Sequence, residues 1–352
     1  MNESLQTILK AILNAAKFKG FLTGAHVSLP DGRKIFVKIQ NTEKVADVPS
    51  PFKFSFLTTI SGGGHTGTGY GSANNKLLAV EKSIAEALER IIFKNLKNTP
   101  YGTQNTNGWA THVSAEAAKQ NALEELLERD AVLVHWFQQE PMTVTNDLSY
   151  PPWLSRWINH TDRQTFGFDS LKILCSTMGH LPTITIVMMD EFGHAVMSHA
   201  TGRDLALTVC KALTETHRIA QIASTNKFME SSRFLAIGKK SCEVTISPED
   251  HAMVYAHHLK FPKWIFGDQR NWQDCEKIWN AKYRNFWKHP IDFKFHQVVS
   301  SPLVVGYCTS PKVQNLFFGS TLIAEVDGLI NFERLFSGGG RRELNTLPHF
   351  VA

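Results

Sequence analysis

Two copies of one charged pattern, E-x-x-E-R, sit late in otherwise apolar helical runs, at Glu86, Glu89 and Arg90 and again at Glu125, Glu128 and Arg129. Residues three apart share one face of a helix, so each copy sets two carboxylates side by side. Taken singly, such a pair is most simply a solvated charged face or an ion pair with a neighbour. Repetition changes that expectation. If the two helices face each other, four carboxylates meet, and such a cluster repels itself unless a cation lies among them. The second copy runs on into Asp130 and Ala131; Arg129 and Asp130 suit either a phosphate contact or an ion pair that holds the helix end.

The 352 residues allow one large domain or two ordinary ones, and 43% hydrophobic with 20% charged residues are globular values. A net charge of +5 permits a polyanionic partner without demanding one. Cys175, Cys210, Cys242, Cys275 and Cys308 are scattered and form no C-x-x-C, so buried reduced thiols in a cytoplasmic protein are expected, not a disulfide framework or a zinc site. No apolar run approaches the roughly 18 to 20 residues of a spanning helix, so no membrane partner is expected.

Residues 1–19 carry Leu5, Ile8, Leu9, Ile12, Leu13 and Ala16 on one helical face and read as a packing or docking helix, not a signal peptide. A hairpin is expected over 21–40 around Leu29-Pro30-Asp31-Gly32, then a loop over 41–52 and a strand over 52–60. Helices follow over 75–95 and from the candidate cap Ser114 to 137, with a proline corner near Trp153 and Trp157. Strands are expected at 171–175, 182–190 and 194–200, and a helix at 202–224 that sets Glu215 and Arg218 three apart. Residues 226–245 carry no signal; Ser247-Pro248-Glu249-Asp250 starts a helix over 253–259. The aromatics and cations of 264–288 could dress a nucleic-acid surface, but over 272–287 they segregate as on an amphipathic helix, so nucleic acid is not an expected partner. The pattern reads as an α+β fold, antiparallel sheet elements with flanking helices, in which a helix and hairpin over 1–60 are integrated with the remainder over 61–352.

Residues 61–72, S-G-G-G-H-T-G-T-G-Y-G-S, are the most glycine-dense stretch and read as a loop. Such a loop lets a phosphate approach backbone amides, or simply serves as a flexible linker; neither a Walker nor a Rossmann pattern is present. It stands directly before the first acidic helix. Carboxylates are ligands for hard cations, and magnesium is commonly held by a few of them together with substrate phosphates. With Arg90, Arg129, Arg218 and Arg341 available for phosphates, the residues outline a phosphoryl-transfer site.

The segment N-G-W-A-T-H-V-S at 107–114 followed by E-L-L-E-R-D-A at 125–131 closely resembles the motifs of the YcaO family, N-G-x-A-x-G and E-L-x-E-R-D-A. The glycine stretch followed by E-A-L-E-R at 86–90 resembles that family's first nucleotide motif, and K-A-L-T-E at 211–215 its third. The chain departs from the pattern at Lys82, where the family often has Ser, at His112 in place of a Gly, at Arg218 and Ile219 where a Gln is usual, and in a tail with the single proline Pro348.

The resemblance implies an ATP-dependent enzyme that activates backbone amides of ribosomally made peptides, with an Mg-ATP site enclosed by the fold. Cys, Ser or Thr as nucleophile would give an azoline, sulfide a thioamide and an amine an amidine; azoline formation, as in bacteriocin and microcin biosynthesis, is the expected reaction. By the same resemblance Glu86, Glu89, Glu125 and Glu128 are magnesium ligands, Glu125, Glu128 and Arg129 are catalytic, and Ser61, Gly69, Gly71, Lys82, Glu86, Arg90, Asn107, Glu215 and Arg218 contact the nucleotide. The expected partners are a precursor peptide and a separate leader-binding, adenylating-like subunit, with a homodimer also open. A non-catalytic peptide-binding scaffold is the rival reading.

Overall fold

The computed structural model describes residues 24–45, 51–103, 105–160, 167–176, 178–224, 253–257, 259–288, 291–300 and 303–314, with 316, 330, 331, 335, 344 and 345. The expected helix over 1–19, the stretch 226–245, the helix start at 247–250, Cys242, Arg341 and the tail beyond 345 lie outside the described residues. The chain divides into two compact units, Met1–Leu126 with Phe293–Ser310 and Leu127–Asp292 with Pro311–Ala352. Both mix helices with sheets, as expected for α+β.

In the first unit, β1 (Ala25–Ser28), β2 (Lys34–Lys44), β3 (Phe54–Gly62) and β4 (His65–Ala73) form an antiparallel meander in chain order. The β1–β2 turn closes where Gly32, at φ 84°, donates its N–H to the Leu29 carbonyl at 3.0 Å. Strand alternation buries Ile35, Val37 and Ile39 and leaves Lys34, Phe36 and Lys38 outside. β2 runs on to Lys44, through what the sequence suggested was a loop. Helix α1 (Lys76–Leu96) is capped by Asn75, which accepts from the Leu78 N–H at 3.1 Å, and it buries Ala79, Ile84, Leu88 and Ile91.

The glycine-rich stretch is not a loop. Gly63 and Gly64, both at positive φ, form a two-residue hairpin turn, and the chain then returns as β4. Gly67, Gly69 and Gly71 alternate along β4 and all meet α1. A Cβ on Gly69 would stand 2.2 Å from the Ser83 carbonyl oxygen, and one on Gly71 2.0 Å from that of Ala79. Glycine is required there because helix backbone lies against strand backbone, so helix occupies the space a phosphate would need.

A second sheet of this unit, in the order β11 (Lys294–Val299), β12 (Val304–Thr309), β5 (Trp109–His112), is antiparallel throughout. Trp109 is fully buried, stacks on Tyr307 of β12 at 5.0 Å between ring centroids, and meets Phe93 of α1 edge-on at 5.7 Å. One indole thus fixes β5 beside α1. Ser114 caps α2 (Ala115–Gln138) by accepting from the Ala117 N–H at 3.3 Å, as the sequence suggested. The division between units falls inside α2, after Leu126.

In the second unit, β6 (Met142–Thr145), β7 (Ser170–Ser176), β8 (Thr183–Met189), β9 (Ala195–Thr201) and β10 (Phe266–Arg270) form one sheet in the order β10-β6-β7-β8-β9. β7 to β9 lie where alternation placed them; the β10–β6 pair is parallel, an exception to the expected antiparallel pattern. The prolines near Trp153 do not turn a corner: Pro152 opens a helix, α3 (Pro152–His160), at a position where its missing N–H is not needed. α4 (Leu205–Ala223) is capped by Asp204, and α5 (Val254–His257) follows. α6 (Trp272–Lys288) buries Trp272, Cys275, Trp279, Tyr283 and Phe286, and Trp279 Nε1 donates to the Gly202 carbonyl at 3.0 Å.

Cys175, Cys275 and Cys308 are buried free thiols, while Cys210 is half-buried. Among the described residues no helix is long and apolar enough to cross a membrane.

Candidate functional site

Within the first unit, α1, β5 and the opening turns of α2 line a pocket of about 420 Å³ whose walls include Lys82, Glu86, Glu89, Trp109, Thr111 and Glu125. Three of the four expected carboxylates are therefore in one place. Their surroundings differ. One oxygen of Glu86 accepts the Tyr70 backbone N–H at 2.7 Å and the other pairs with Arg90 one turn further along α1. Arg90 also donates to the Thr68 carbonyl at 2.8 Å, so Glu86 is tied to both β4 and its own helix.

Glu89 has no such neutralisation. Desolvation first, then the charges of Glu125 and Glu86, push its proton affinity well above the usual carboxylate range; Arg90 and a hydrogen bond from the Thr111 backbone N–H act in the opposite direction. The exposed Lys82 ammonium donates to the Ser72 carbonyl at 3.2 Å and lies 5.9 Å from the centre of the Phe52 ring. The Thr111 hydroxyl is buried and has no hydrogen-bond partner among the described residues.

These features fit a divalent cation brought with a phosphate-bearing ligand. Among the described residues no three His, Cys, Asp or Glu side chains are disposed as a ready ligand set, yet Glu125 and Glu86 both lie near enough to disfavour the charge on Glu89. Magnesium commonly takes only one or two carboxylates and fills its remaining positions with water and substrate phosphate, so a partial set is what such a site requires.

The other expected site residues stand apart from this pocket's lining. Ser61, on β3, accepts from the Gln40 amide, and Gly69 and Gly71 meet the α1 backbone. Asn107 is buried before Gly108, which takes φ 72°, and neither its amide nitrogen nor its oxygen has a partner among the described residues. Glu128, Arg129, Glu215 and Arg218 belong to the second unit. There Glu128 accepts the Thr201 N–H at 2.9 Å and pairs with Arg129 at 3.1 Å. Arg218 makes a two-pronged pair with Glu215, one bond of which is 2.9 Å. Asp130 is fully buried and accepts the Gln314 N–H at 2.8 Å, while Gln314 Oε1 accepts the Asn331 N–H at 2.7 Å. The Asp130 bond fastens the segment around Gln314 to α2.

Sequence reading missed Thr111 and the Tyr70 N–H. Thr111 is a variable position inside the N-G-x-A-x-G stretch, and a backbone donor has no side-chain signature.

The carboxylates of this pocket, on two helices that each carry E-x-x-E-R, are a donor set suited to a hard divalent cation, and the sequence comparison narrows that reading. The family described as YcaO cyclodehydratase, ATP- and Mg2+-binding, matches residues 91–280, more than half of the 352-residue chain. The chain belongs to that family, and ATP and Mg2+ are its cofactors. Glu86 and Glu89 fall just ahead of the matched span. No curated protein matches the chain.

Among solved structures, the chain is similar to a heterocyclase in complex with substrate and cofactor, at 12% identity and TM-score 0.54, over 79% of this chain and 50% of that one. It thus covers half the length of that heterocyclase. It is also similar to a chain of the E. coli microcin synthetase McbBCD complex with pro-MccB17 bound, at 11% identity and TM-score 0.51, over 90% of this chain and 96% of that one. At these identities the likeness establishes a shared fold.

Proposed function

We propose that the chain is an ATP-dependent cyclodehydratase that forms azoline rings from Cys, Ser or Thr of a ribosomally made precursor peptide. The observation that carries this reading is the grouping of Glu86, Glu89 and Glu125, where a glutamate lacking full neutralisation needs a cation beside it. Glu86, Glu89, Glu125 and Glu128 would hold Mg2+, with Lys82, Arg90 and Asn107 toward the nucleotide and Glu215 and Arg218 as its further contacts. Arg129 would stabilise the transferring charge. Gly69 and Gly71 are assigned to helix packing instead.

Bound ATP supplies the phosphoryl group that turns an amide oxygen, a very poor leaving group, into a good one. The side-chain sulfur or oxygen adds to the amide carbon, the phosphoryl group passes to the oxygen so exposed, and phosphate departs with that oxygen as the carbon–nitrogen double bond forms. The peptide loses one water per ring, and ATP becomes ADP and phosphate. Residues 61–352 would be the catalytic domain, and residues 1–60 a docking element for a separate leader-binding subunit, acting in the cytoplasm.

Thioamide or amidine formation is the second reading, and Lys82 and Arg218 motivate a scaffold without activity. Mass spectrometry of a precursor peptide treated with the full chain, its partner subunit and Mg-ATP separates them. Loss of one water per modified residue, abolished by Glu125→Ala, is expected; exchange of oxygen for sulfur indicates the thioamide. An unchanged product with Glu125→Ala, together with no binding of Mg-ATP, would establish the scaffold.

A further inference from the structure

Thr111 lies on β5, the edge strand of its sheet, and three facts meet at this residue. Its backbone N–H is hydrogen-bonded to the Glu89 carboxylate. It lines the pocket together with Glu86, Glu89 and Glu125. Its hydroxyl is buried, in a residue only 9% exposed, and has no hydrogen-bond partner among the described residues. Buried hydroxyls nearly always find a partner, so an orphan at the wall of an acidic pocket marks the place of one that arrives with a ligand.

The partner's chemistry follows from what surrounds it. The carboxylates of the pocket are acceptors, whereas a hydroxyl both donates and accepts. Magnesium dehydrates reluctantly and keeps several waters, each of which presents its protons outward and needs an acceptor. A hydroxyl on the residue whose own backbone N–H steadies Glu89 is placed to receive such a proton.

We propose that the Thr111 hydroxyl accepts a hydrogen bond from a water carried by the divalent cation, making Thr111 a positioning residue for that cation; this rests on the reading of the pocket as the Mg-ATP site. Valine preserves the shape of threonine and its β-branching, so Thr111→Val removes the hydroxyl alone, and Thr111→Ser returns it without the methyl.

The test is calorimetric titration of MgCl2 into the full chain in the presence of a β,γ-methylene ATP analogue, paired with thermal unfolding of each variant without ligand. Thr111→Val is expected to bind Mg2+ about tenfold more weakly, while its ligand-free melting temperature stays level or rises because an unpartnered buried hydroxyl is gone. Thr111→Ser restores affinity to within about threefold of the parent. A structural role would move the two readouts together, with affinity falling only as far as the ligand-free fold is lost. Equal Mg2+ affinity in Thr111→Val and the parent, or a lowered ligand-free melting temperature with no rescue by Thr111→Ser, would overturn the inference and leave the site reading standing. A parent chain that binds neither Mg2+ nor the analogue would overturn both.

Discussion

Asp130 and Glu89 are both acids on long helices, and they are treated in opposite ways. Asp130, in the second unit, is fully buried and matched by the Gln314 N–H. Nearby in sequence, His135 has both ring nitrogens engaged: Nδ1 donates to the Glu140 carbonyl at 2.9 Å, and Nε2 lies in hydrogen-bond contact with Ser176 Oγ at 2.8 Å. Burial pushes the His135 pKa down to about 4, so it folds as a neutral ring. In the first unit Glu89 stands among like charges, and the Thr111 hydroxyl beside the same pocket has no partner among the described residues. Buried polarity that is complete within the protein builds the fold. Where it is incomplete, a ligand has to finish it.

The sharpest separation of the two roles comes from β4. Gly71→Val sets side-chain atoms into α1 backbone and is expected to destabilise the first unit by about 3 kcal/mol or more, measured by denaturant unfolding, with no rescue by Mg-ATP. Recovery with ligand would instead return this stretch to the site.

Asp130→Ala leaves the Gln314 N–H without its acceptor and is expected to cost about 2–3 kcal/mol. Glu89→Gln removes a charge its neighbours disfavour and should raise ligand-free stability near neutral pH while weakening Mg2+ binding at least tenfold. Equal destabilisation by the two changes would erase the contrast between the units.

Acid and base should act on the units in opposite directions. His135 has a folded pKa below its ordinary 6.5, so its contribution is complete above pH 6.5 and is lost as pH falls toward 4, in all about 3 kcal/mol. Glu89 has a folded pKa raised above its ordinary 4.5, so ligand-free stability falls as pH rises from 4.5 through the folded value. Unfolding followed across this range checks both, with His135→Gln and Glu89→Gln each flattening one limb. The smallest effect belongs to Glu215→Gln: the Arg218 pair is partly exposed, and its loss should change stability by about 0.5 kcal/mol or less.

The periodic elements were legible before the fold was known. α1, α2, α4 and α6 follow their apolar stripes, and β7 to β9 their β-rich runs, because each is decided by local pattern. Residues 61–72 were misread because glycine density suggests a loop, although T-G-T-G-Y-G already alternates with the period of a strand. β5 escaped notice because its partner β12 lies far along the chain, and no local signal pairs Trp109 with Tyr307. At the site, Glu86, Glu89 and Glu125 were readable as repeated acid pairs. The backbone N–H groups of Tyr70 and Thr111 that bond Glu86 and Glu89 were not, since that depends on which strand edge packs against α1.

The central claim is that the first unit's carboxylates are completed by a divalent cation and a nucleotide. Calorimetric titration of the full chain with the Mg2+ complex of a β,γ-methylene ATP analogue tests it most directly, compared with the double variant Glu89→Gln/Glu125→Gln. Saturable binding to the parent chain and its loss in a double variant that remains folded is the expected result. Absence of binding to the parent, or equal binding to the double variant, would contradict it.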